Sequence, residues 1–162
     1  MNKKIAVDFS GQGIDKLIKE LDSYEKWLER KTAELTERLA AIGVTYAQIG
    51  FAEAMYTGNN DAVVTTEQRG DNAWVVKANG ESVLFVEFGS GVTFGYGHPE
   101  AGNFGPGTYE PSKGHWDDPS GWWLPKDKGG EHTWGNPPNA PMYNSVKQLE
   151  QELQQIVEVV FR

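Results

Sequence analysis

The first residues of the chain alternate between apolar and polar side chains, and the pattern then changes to helical spacing. Ile5, Val7 and Phe9 recur at the two-residue period of a half-buried strand. Residues 14–21 place isoleucine and leucine at intervals of three and four, on one face of a helix. The chain therefore predicts a short strand followed by an amphipathic helix.

A second, longer helical pattern comes next. Asp22 with Glu25 three residues on has the form of a capping box, so a second helix is predicted to begin near Ser23. Leucine and isoleucine then recur at steps of three, four or seven, and Gly58 is the expected stop. A helix over 23–56 would span about 50 Å, more than the radius of a compact domain. Its apolar stripe packs either within the core or, in part, on a neighbouring subunit.

Three short apolar segments after this helix predict an antiparallel meander. The segments 61–69 and 73–78 flank the turn Gly70-Asp71-Asn72. Asn79-Gly80 is typical of a tight hairpin, because both residues tolerate positive φ. Residues 82–88 then predict a third strand, and their nearly continuous apolar run indicates a strand covered on both faces.

Residues 89–140 differ in composition from the rest and predict a loop-rich insertion. All eight prolines lie between Pro99 and Pro141, and residues 89–140 contain all three histidines and four of the six tryptophans. Within the insertion, the Trp-rich segments on either side of 125–130 predict a small second hairpin.

Regular structure returns after the insertion. A last helix is predicted from about Ala140 to Gln155, and the β-branched residues of 156–161 favour a closing strand. We therefore expect a single α+β domain over 1–162. One long N-terminal helix, or two in succession, would pack on an antiparallel sheet of about four strands, with the C-terminal helix alongside.

Charge and cysteine content restrict the function further. The 162 residues include no cysteine and carry a formal net charge of −8. Disulfide frameworks and thiolate metal sites are thereby excluded, and the acidic balance disfavours binding to a phosphate backbone. The apolar runs are too short for a membrane span, and the charged start with no long apolar segment predicts no signal peptide. These features predict a soluble, intracellular protein.

The polar residues of the insertion match no established catalytic or metal-binding motif. Three histidines lie there among carboxylates: His98, His115 and His132. His115-x-Asp117 is a candidate ligand pair, but its spacing fits no metal signature. Ser90 lacks the preceding glycine of a nucleophile elbow, and the glycine-rich segments 89–91 and 95–97 lack the lysine of a phosphate loop. We therefore expect no catalytic residue, no metal and no cofactor.

Aromatic residues are the strongest binding candidates in the insertion. Flat rings can stack on sugars, Trp and Tyr dominate the binding energy of protein interfaces, and the same rings can form a small core under a loop. The sequence leaves these three roles open and favours a protein interface. The candidate residues are Tyr96, Tyr109, Trp116, Trp122, Trp123 and Trp134.

Three stretches follow one another along the chain: 54–64 closes the long helix and opens the sheet, 83–91 ends the meander with Glu87-Phe88-Gly89-Ser90-Gly91, and 135–143 leads into the last helix with Ala140-Pro141-Met142-Tyr143. Their succession resembles the gene-product-ten-like family of long-tailed bacteriophages, whose members are neck or tail-completion proteins. Members typically have a helix exit ending in Asn-Asp, an E-F-G-T/S-G strand end and a P-x-x-P-F-M-Y-x-A helix start. Here Glu87-Phe88-Gly89-Ser90-Gly91 keeps the second motif. Pro141-Met142-Tyr143 keeps part of the third, without its phenylalanine and with Ser145 near the usual alanine. The three stretches are 54–64, 83–91 and 135–143, so the resemblance spans most of the chain in order.

The resemblance implies a structural virion protein that acts at the head–tail joint or in tail completion, with no enzymatic residues. Relatives of this kind assemble as rings on the portal axis, so the implied partners are copies of this chain, head-completion proteins and the tail tube. It implies no membrane and no specific nucleic acid as partners, and an acidic surface would suit a channel through which DNA passes. The implied locations are the virion and, during assembly, the host cytoplasm. The alternative is a carbohydrate-binding module or a virion-associated cell-wall hydrolase.

Overall fold

The structure is a computed structural model that describes residues 6, 8, 10–56, 58–104 and 118–162. In this part of the chain the protein is a mixture of helices and small antiparallel sheets. The predicted N-terminal strand, with its apolar positions Ile5, Val7 and Phe9, lies outside the described residues.

The first element is one long helix. Helix α1 runs from Gly11 to Ala52, and its 42 residues span about 63 Å at 1.5 Å per residue. The side chain of Ser10 caps its start by accepting a hydrogen bond from the Gly13 amide at 3.2 Å. The predicted break near Ser23 is wrong, because the Ser23 hydroxyl donates to a carbonyl of the preceding turn inside an unbroken helix.

Helix α1 also ends earlier than the predicted stop at Gly58. It closes at Ala52, and the side-chain amide of Asn60 donates to the Phe51 carbonyl at 2.5 Å. That bond satisfies one of the terminal carbonyls that a helix leaves unpaired. A side chain that folds back from the following loop therefore sets the end of α1, and no glycine is needed.

Two strands form the first sheet, and here the predictions are confirmed. Strand β1 (Val63–Gln68) pairs antiparallel with β2 (Trp74–Asn79), from Val63 opposite Asn79 to Gln68 opposite Trp74. The predicted turn between them is closed by the Arg69 amide, which donates to the Ala73 carbonyl at 2.7 Å.

The predicted third strand is wrong, since residues Val83–Phe88 form a short helix, α2. The Asp61 carboxylate accepts the amides of Glu81 and Ser82, each at 2.9 Å, and the Ser82 hydroxyl at 2.5 Å. This side chain turns the backbone into a helix directly after β2, so Asn79-Gly80 makes no hairpin. A distant aspartate thus overrides the strand preference of the local apolar run.

The remaining elements form a second small sheet and a long helix. After a four-residue helix α3 (Ala101–Phe104), β3 (Trp122–Trp123) pairs antiparallel with β4 (His132–Thr133), as the hairpin prediction required. Helix α4 runs from Pro141 to Val160, so the predicted closing strand is wrong. Ile156 and Val160 are buried along one face of this helix, which explains their β-branched character. The described residues thus hold two separate two-stranded sheets where one sheet of about four strands was expected.

Helix α4 lies antiparallel along the C-terminal part of α1. An added Cβ on Gly50 would lie 2.8 Å from the Cβ of Pro141, so the two helices approach closely where α4 begins. At the other end of α4, the Trp27 and Phe161 rings are 5.8 Å apart. The core below them contains Ala47, Phe51, Val64 and Val86. Among the described residues, no element covers α1 on the N-terminal side of Trp27, and large apolar side chains are exposed there.

Candidate functional site

Glu87 joins the two best-preserved motifs of the sequence. Its carboxylate accepts hydrogen bonds from the backbone amides of Met142 at 2.8 Å and Tyr143 at 3.0 Å, at the start of α4. Ala140, the residue that precedes α4, has a left-handed φ of 50° and no side-chain oxygen with which to cap the helix. Glu87, reaching over from α2, therefore provides the missing cap and places a negative charge at the positive end of the helix dipole.

His98 also binds the Glu87 carboxylate, and its imidazole ring has a fixed orientation. We call Glu87, His98 and the two backbone amides at the start of α4 the Glu87 anchor. Its Nδ1 accepts the amide of Glu100 at 3.0 Å, so Nε2 carries the proton and donates to Glu87 Oε1 at 3.3 Å. The ring also packs against Phe88, with centroids 4.6 Å apart, and edge-on to Tyr143 at 5.6 Å. Both nitrogens of the imidazole are thereby occupied by the protein itself.

The anchor is a structural arrangement. Glu87 and His98 are only 6% and 4% exposed, and both carboxylate oxygens are engaged by backbone or imidazole donors. A general acid or base must reach a substrate proton, and these atoms are turned toward their own chain. What the arrangement can do is hold α2, the segment after it and the start of α4 in one geometry.

The glycines of the second motif allow the chain to pass close to the segment that leads into α4. Gly89 has a φ of 77°, and a Cβ there would lie 2.8 Å from the Asn136 carbonyl oxygen. Gly91 has a φ of 82°, and its Cβ would lie 2.2 Å from the Trp134 carbonyl oxygen. Between them, the Ser90 amide donates to the Asn136 carbonyl at 2.9 Å. The motif therefore needs glycine at both positions for conformation and for space.

An exposed row of aromatic rings lies on the second hairpin. His132 sits between Trp123 and Trp134, with edge-on centroid distances of 5.2 and 4.7 Å. Trp123 is 70% exposed and Trp134 is 55% exposed, whereas Trp122, on the opposite face of β3, is half-buried. We call Trp123, His132 and Trp134 the aromatic row. Its rings are held against one another, so they present apolar surface at little further cost in side-chain entropy.

The other predicted interface residues are placed differently. Tyr96 lies in a turn after α2 and is 75% exposed. Tyr109 and Trp116 lie outside the described residues, as do His115 and Asp117 of the candidate ligand pair. The structure thus brings Trp123 and Trp134 together through a histidine that was considered only as a metal ligand.

The described residues offer little to a metal or a small ligand. Over the ranges given above, no group of three or more His, Asp or Glu side chains could hold a metal ion. A shallow groove of about 330 Å³ lies between the end of α1 and β1, lined by Gln48, Phe51, Asn60 and apolar residues of β1. None of its lining residues is titratable. Among the described helices, none is both long and apolar enough to cross a bilayer.

Sequence reasoning missed the role of His98 and of Asp61. His98 is eleven residues from Glu87, at no spacing that marks a pair. Asp61 lies just before β1, and its partner Ser82 is twenty-one residues away, so no short window of sequence contains both. Comparisons of the chain with protein-family models, with curated proteins and with solved structures gave no match. The resemblance in motif order therefore rests on the residues themselves.

Proposed function

We propose that this protein is a structural assembly protein of a phage or prophage, acting in the head–tail connection or in tail completion by docking to copies of itself and to neighbouring virion proteins. The order of the motifs suggests the family. The Glu87 anchor supports the proposal, because the buried carboxylate and imidazole that would otherwise suggest catalysis serve to hold two motifs together.

The observation that carries the proposal is the aromatic row. Tryptophan is among the residues that contribute most to protein interfaces, especially when the ring is rigid before binding. Trp123 and Trp134 are both more than half exposed and are held by His132. Two exposed tryptophan rings on one hairpin are therefore the residues of the described chain that we assign to the centre of an interface.

The proposed partners follow from the proposed role in a ring at the head–tail joint. Subunits of a ring contact one another through two different surfaces, so one copy would offer the aromatic row to a second surface on its neighbour. Head-completion proteins and the tail tube are the proposed partners above and below such a ring. The net charge of −8 would keep DNA from adhering as it passes.

The proposal is tested by removing the protein from the phage and imaging the particles. Full heads and separate tails are expected in negative stain, and a plasmid copy should restore joined particles. A plasmid copy carrying Trp123→Ala with Trp134→Ala should not restore them, although it folds. Met55→Ala removes a comparably exposed apolar side chain and is the matched control, which should complement.

Two results would overturn the proposal. One is whole, infectious virions in the absence of the protein. The other is binding of a glycan array or release of peptidoglycan fragments by the purified protein, lost on Trp123→Ala, which would assign the aromatic row to sugar recognition. Glycan stacking requires an open ring face, and in the row each tryptophan meets His132 edge to face.

A further inference from the structure

We propose that the uncovered N-terminal part of α1, Gly11–Leu28, is a pairing arm that packs antiparallel on the same segment of a second copy of this chain. The inference uses none of the residues of the aromatic row and does not depend on the proposed function. It concerns five large apolar side chains that are exposed on one segment of α1, namely Ile14, Ile18, Leu21, Tyr24 and Leu28.

The arm carries a heptad pattern that no other element covers within the described residues, and its Tyr24 ring stacks on Trp27 of the same helix at 5.5 Å. Ile14, Leu17, Leu21, Tyr24 and Leu28 are spaced three, four, three and four residues apart, which is the a/d spacing of a coiled coil. Ile14 is 44% exposed and Leu21 is 49% exposed. A monomer gains nothing from repeating this spacing on a surface that faces water.

The exposed stripe continues the face of α1 that α4 covers. On a straight helix, Ile14 points in the same direction as Gly50, since 36 residues are about ten turns. Gly50 lies against Pro141 at the start of α4, and α4 reaches as far as Trp27, whose ring meets Phe161. Beyond that point, no other element of the described part of the chain covers the stripe. An antiparallel helix from a second copy would extend the packing that α4 begins.

The length of the exposed stripe determines the register, that is, which residues of the two copies lie opposite each other. An antiparallel pair centred between Leu17 and Leu21 gives four layers, in which Ile14 meets Tyr24 of the second copy and Leu17 meets its Leu21. Ser10 of the second copy then reaches the level of Leu28, just where α4 stops. The arm is therefore long enough for these layers and no longer.

Charge favours a second copy over a foreign partner of opposite charge. The arm and the turn after it carry Lys16, Lys19, Lys26 and Arg30 among five acidic residues, so the arm is nearly neutral in a chain of net charge −8. Two arms do not strongly repel each other, and no basic partner is required. The rest of each copy carries most of the negative charge.

Charge also favours the antiparallel orientation. A parallel pair brings Glu20 beside Glu25 of the second copy on both flanks and sets the two acidic bodies side by side. The antiparallel pair replaces one of these flanks with an Ile18–Ile18 contact and places the bodies at opposite ends. The buried area is on the order of 1,000 Å², the lower bound for a specific interface, so the dimer should be weak and should dissociate on dilution.

Sedimentation velocity over a concentration series tests the arm. The wild-type protein should shift from monomer to dimer as concentration rises, and Leu21→Glu should remain monomeric. Ser23→Glu adds the same charge on the opposite face and should dimerise like wild type. Far-UV circular dichroism and thermal unfolding check that each variant folds, and Ile18→Glu, at a side chain 51% exposed, is the second variant if Leu21→Glu fails. Trp123→Ala should leave dimerisation unchanged.

Cysteine cross-linking tests the orientation, since the chain has no cysteine of its own. Under a mild oxidant, Ile18→Cys should give a disulfide-linked dimer, because in the antiparallel register the two copies of this position lie on the same flank, offset by about 3 Å along the helix axis. Ile14→Cys should not, since it meets itself only in a parallel pair. Cross-linking through Ile14→Cys instead would overturn the orientation. A wild-type protein that stays monomeric throughout, or a dimer that survives Leu21→Glu, would overturn the arm.

Discussion

The two parts of α1 have the same apolar spacing and opposite surroundings. In the C-terminal part of α1, up to Ala52, α4 and the first hairpin cover one face of the helix, and Ala47 and Phe51 are fully enclosed. From Gly11 to Lys26, Ile14, Ile18, Leu21 and Tyr24 are exposed and Leu17 is half-buried. Periodicity therefore predicts which face of a helix is apolar, but the cover over that face depends on residues far away in the sequence.

The position of α4 on the covered part of α1 is set by the Glu87 anchor as well as by apolar contacts. Helix α4 begins where Glu87 accepts two of its backbone amides, and only this placement lets Pro141 approach Gly50. Apolar contacts alone would allow α4 to pack at several positions along the apolar stripe of α1. The polar anchor selects one of them and so decides how much of α1 remains uncovered.

The largest expected effect comes from removing the anchor. Glu87→Ala leaves the amides of Met142 and Tyr143 and the Nε2–H of His98 without an acceptor in a buried place. Each buried unsatisfied donor costs about 1–3 kcal/mol, so we expect a loss of about 3 kcal/mol in the free energy of unfolding, measured by urea denaturation. Glu37→Ala, an exposed glutamate on α1, is the matched control and should change stability by less than about 0.5 kcal/mol.

If Glu87→Ala lowers the free energy of unfolding no more than Glu37→Ala, the anchor does not hold α4 in place. The anchor would then not explain why α4 covers only one part of α1. Glu87→Gln separates charge from shape. The amide can still accept from one donor, so we expect a loss smaller than that of the alanine variant.

A glycine pair on α1 gives the next largest effect. An added methyl group at Gly50 would lie 2.8 Å from the Cβ and 3.2 Å from the Cα of Pro141. Overpacking against backbone outweighs the gain of about 1 kcal/mol in helix propensity, so Gly50→Ala should lower the free energy of unfolding by about 1–2 kcal/mol. At Gly11, in the arm, an added Cβ meets nothing within 4 Å, and Gly11→Ala should be neutral or slightly stabilising.

Thermal unfolding of the two glycine variants compares the covered and the exposed part directly. Equal melting temperatures for Gly50→Ala and Gly11→Ala would show that α4 does not pack closely against α1 at Gly50.

A smaller effect, with a defined pH dependence, is expected at Asp61. The Ser82 hydroxyl and the amides of Ser82 and Glu81 lower the pKa of this carboxyl from 3.8 to about 2. A lowered pKa in the folded state means that ionised Asp61 stabilises the fold above about pH 4. The contribution is lost as the pH falls from 3.8 toward 2.

Asp61→Asn should therefore lower the melting temperature at neutral pH, and its difference from wild type should shrink below pH 4. Melting curves from pH 7 to pH 2 measure this. Asp71→Asn, in the exposed turn between β1 and β2, should give the wild-type profile. A constant gap between Asp61→Asn and wild type at every pH would mean that charge is not what turns residues 83–88 into a helix.

The sequence predicted those elements whose signals are local. The long helix, the turn at 70–72 and the hairpin around 125–130 all follow from periodicity and turn residues in short windows. The third strand failed because Asp61, outside any such window, binds the backbone amides of the two residues that precede α2. The closing strand failed because Ile156 and Val160 fit a buried helical face as well as a strand.

The candidate site was predictable in the same uneven way. The motif around Glu87 and the motif at Pro141 were recognised separately, and nothing in the sequence joins a carboxylate to backbone amides fifty-five residues away. Trp123 and Trp134 were predicted as interface residues, and the structure leaves both exposed, but their contact with His132 depends on the register of the hairpin. Local patterns identify the participating residues, whereas their pairing is a property of the fold.

The smallest effect is expected in the arm, and it separates folding from association. Leu21→Gln should change the free energy of unfolding by less than about 0.5 kcal/mol in dilute solution, because Leu21 is 49% exposed to water in the monomer. The same change at Leu39, on the part of the stripe that α4 covers, should cost more than about 1 kcal/mol, since it places an amide against apolar neighbours. Urea denaturation at two protein concentrations measures both. If the arm pairs, the free energy of unfolding of the wild type rises with protein concentration and that of Leu21→Gln does not. An apolar side chain at this position stabilises the protein only when a second copy buries it.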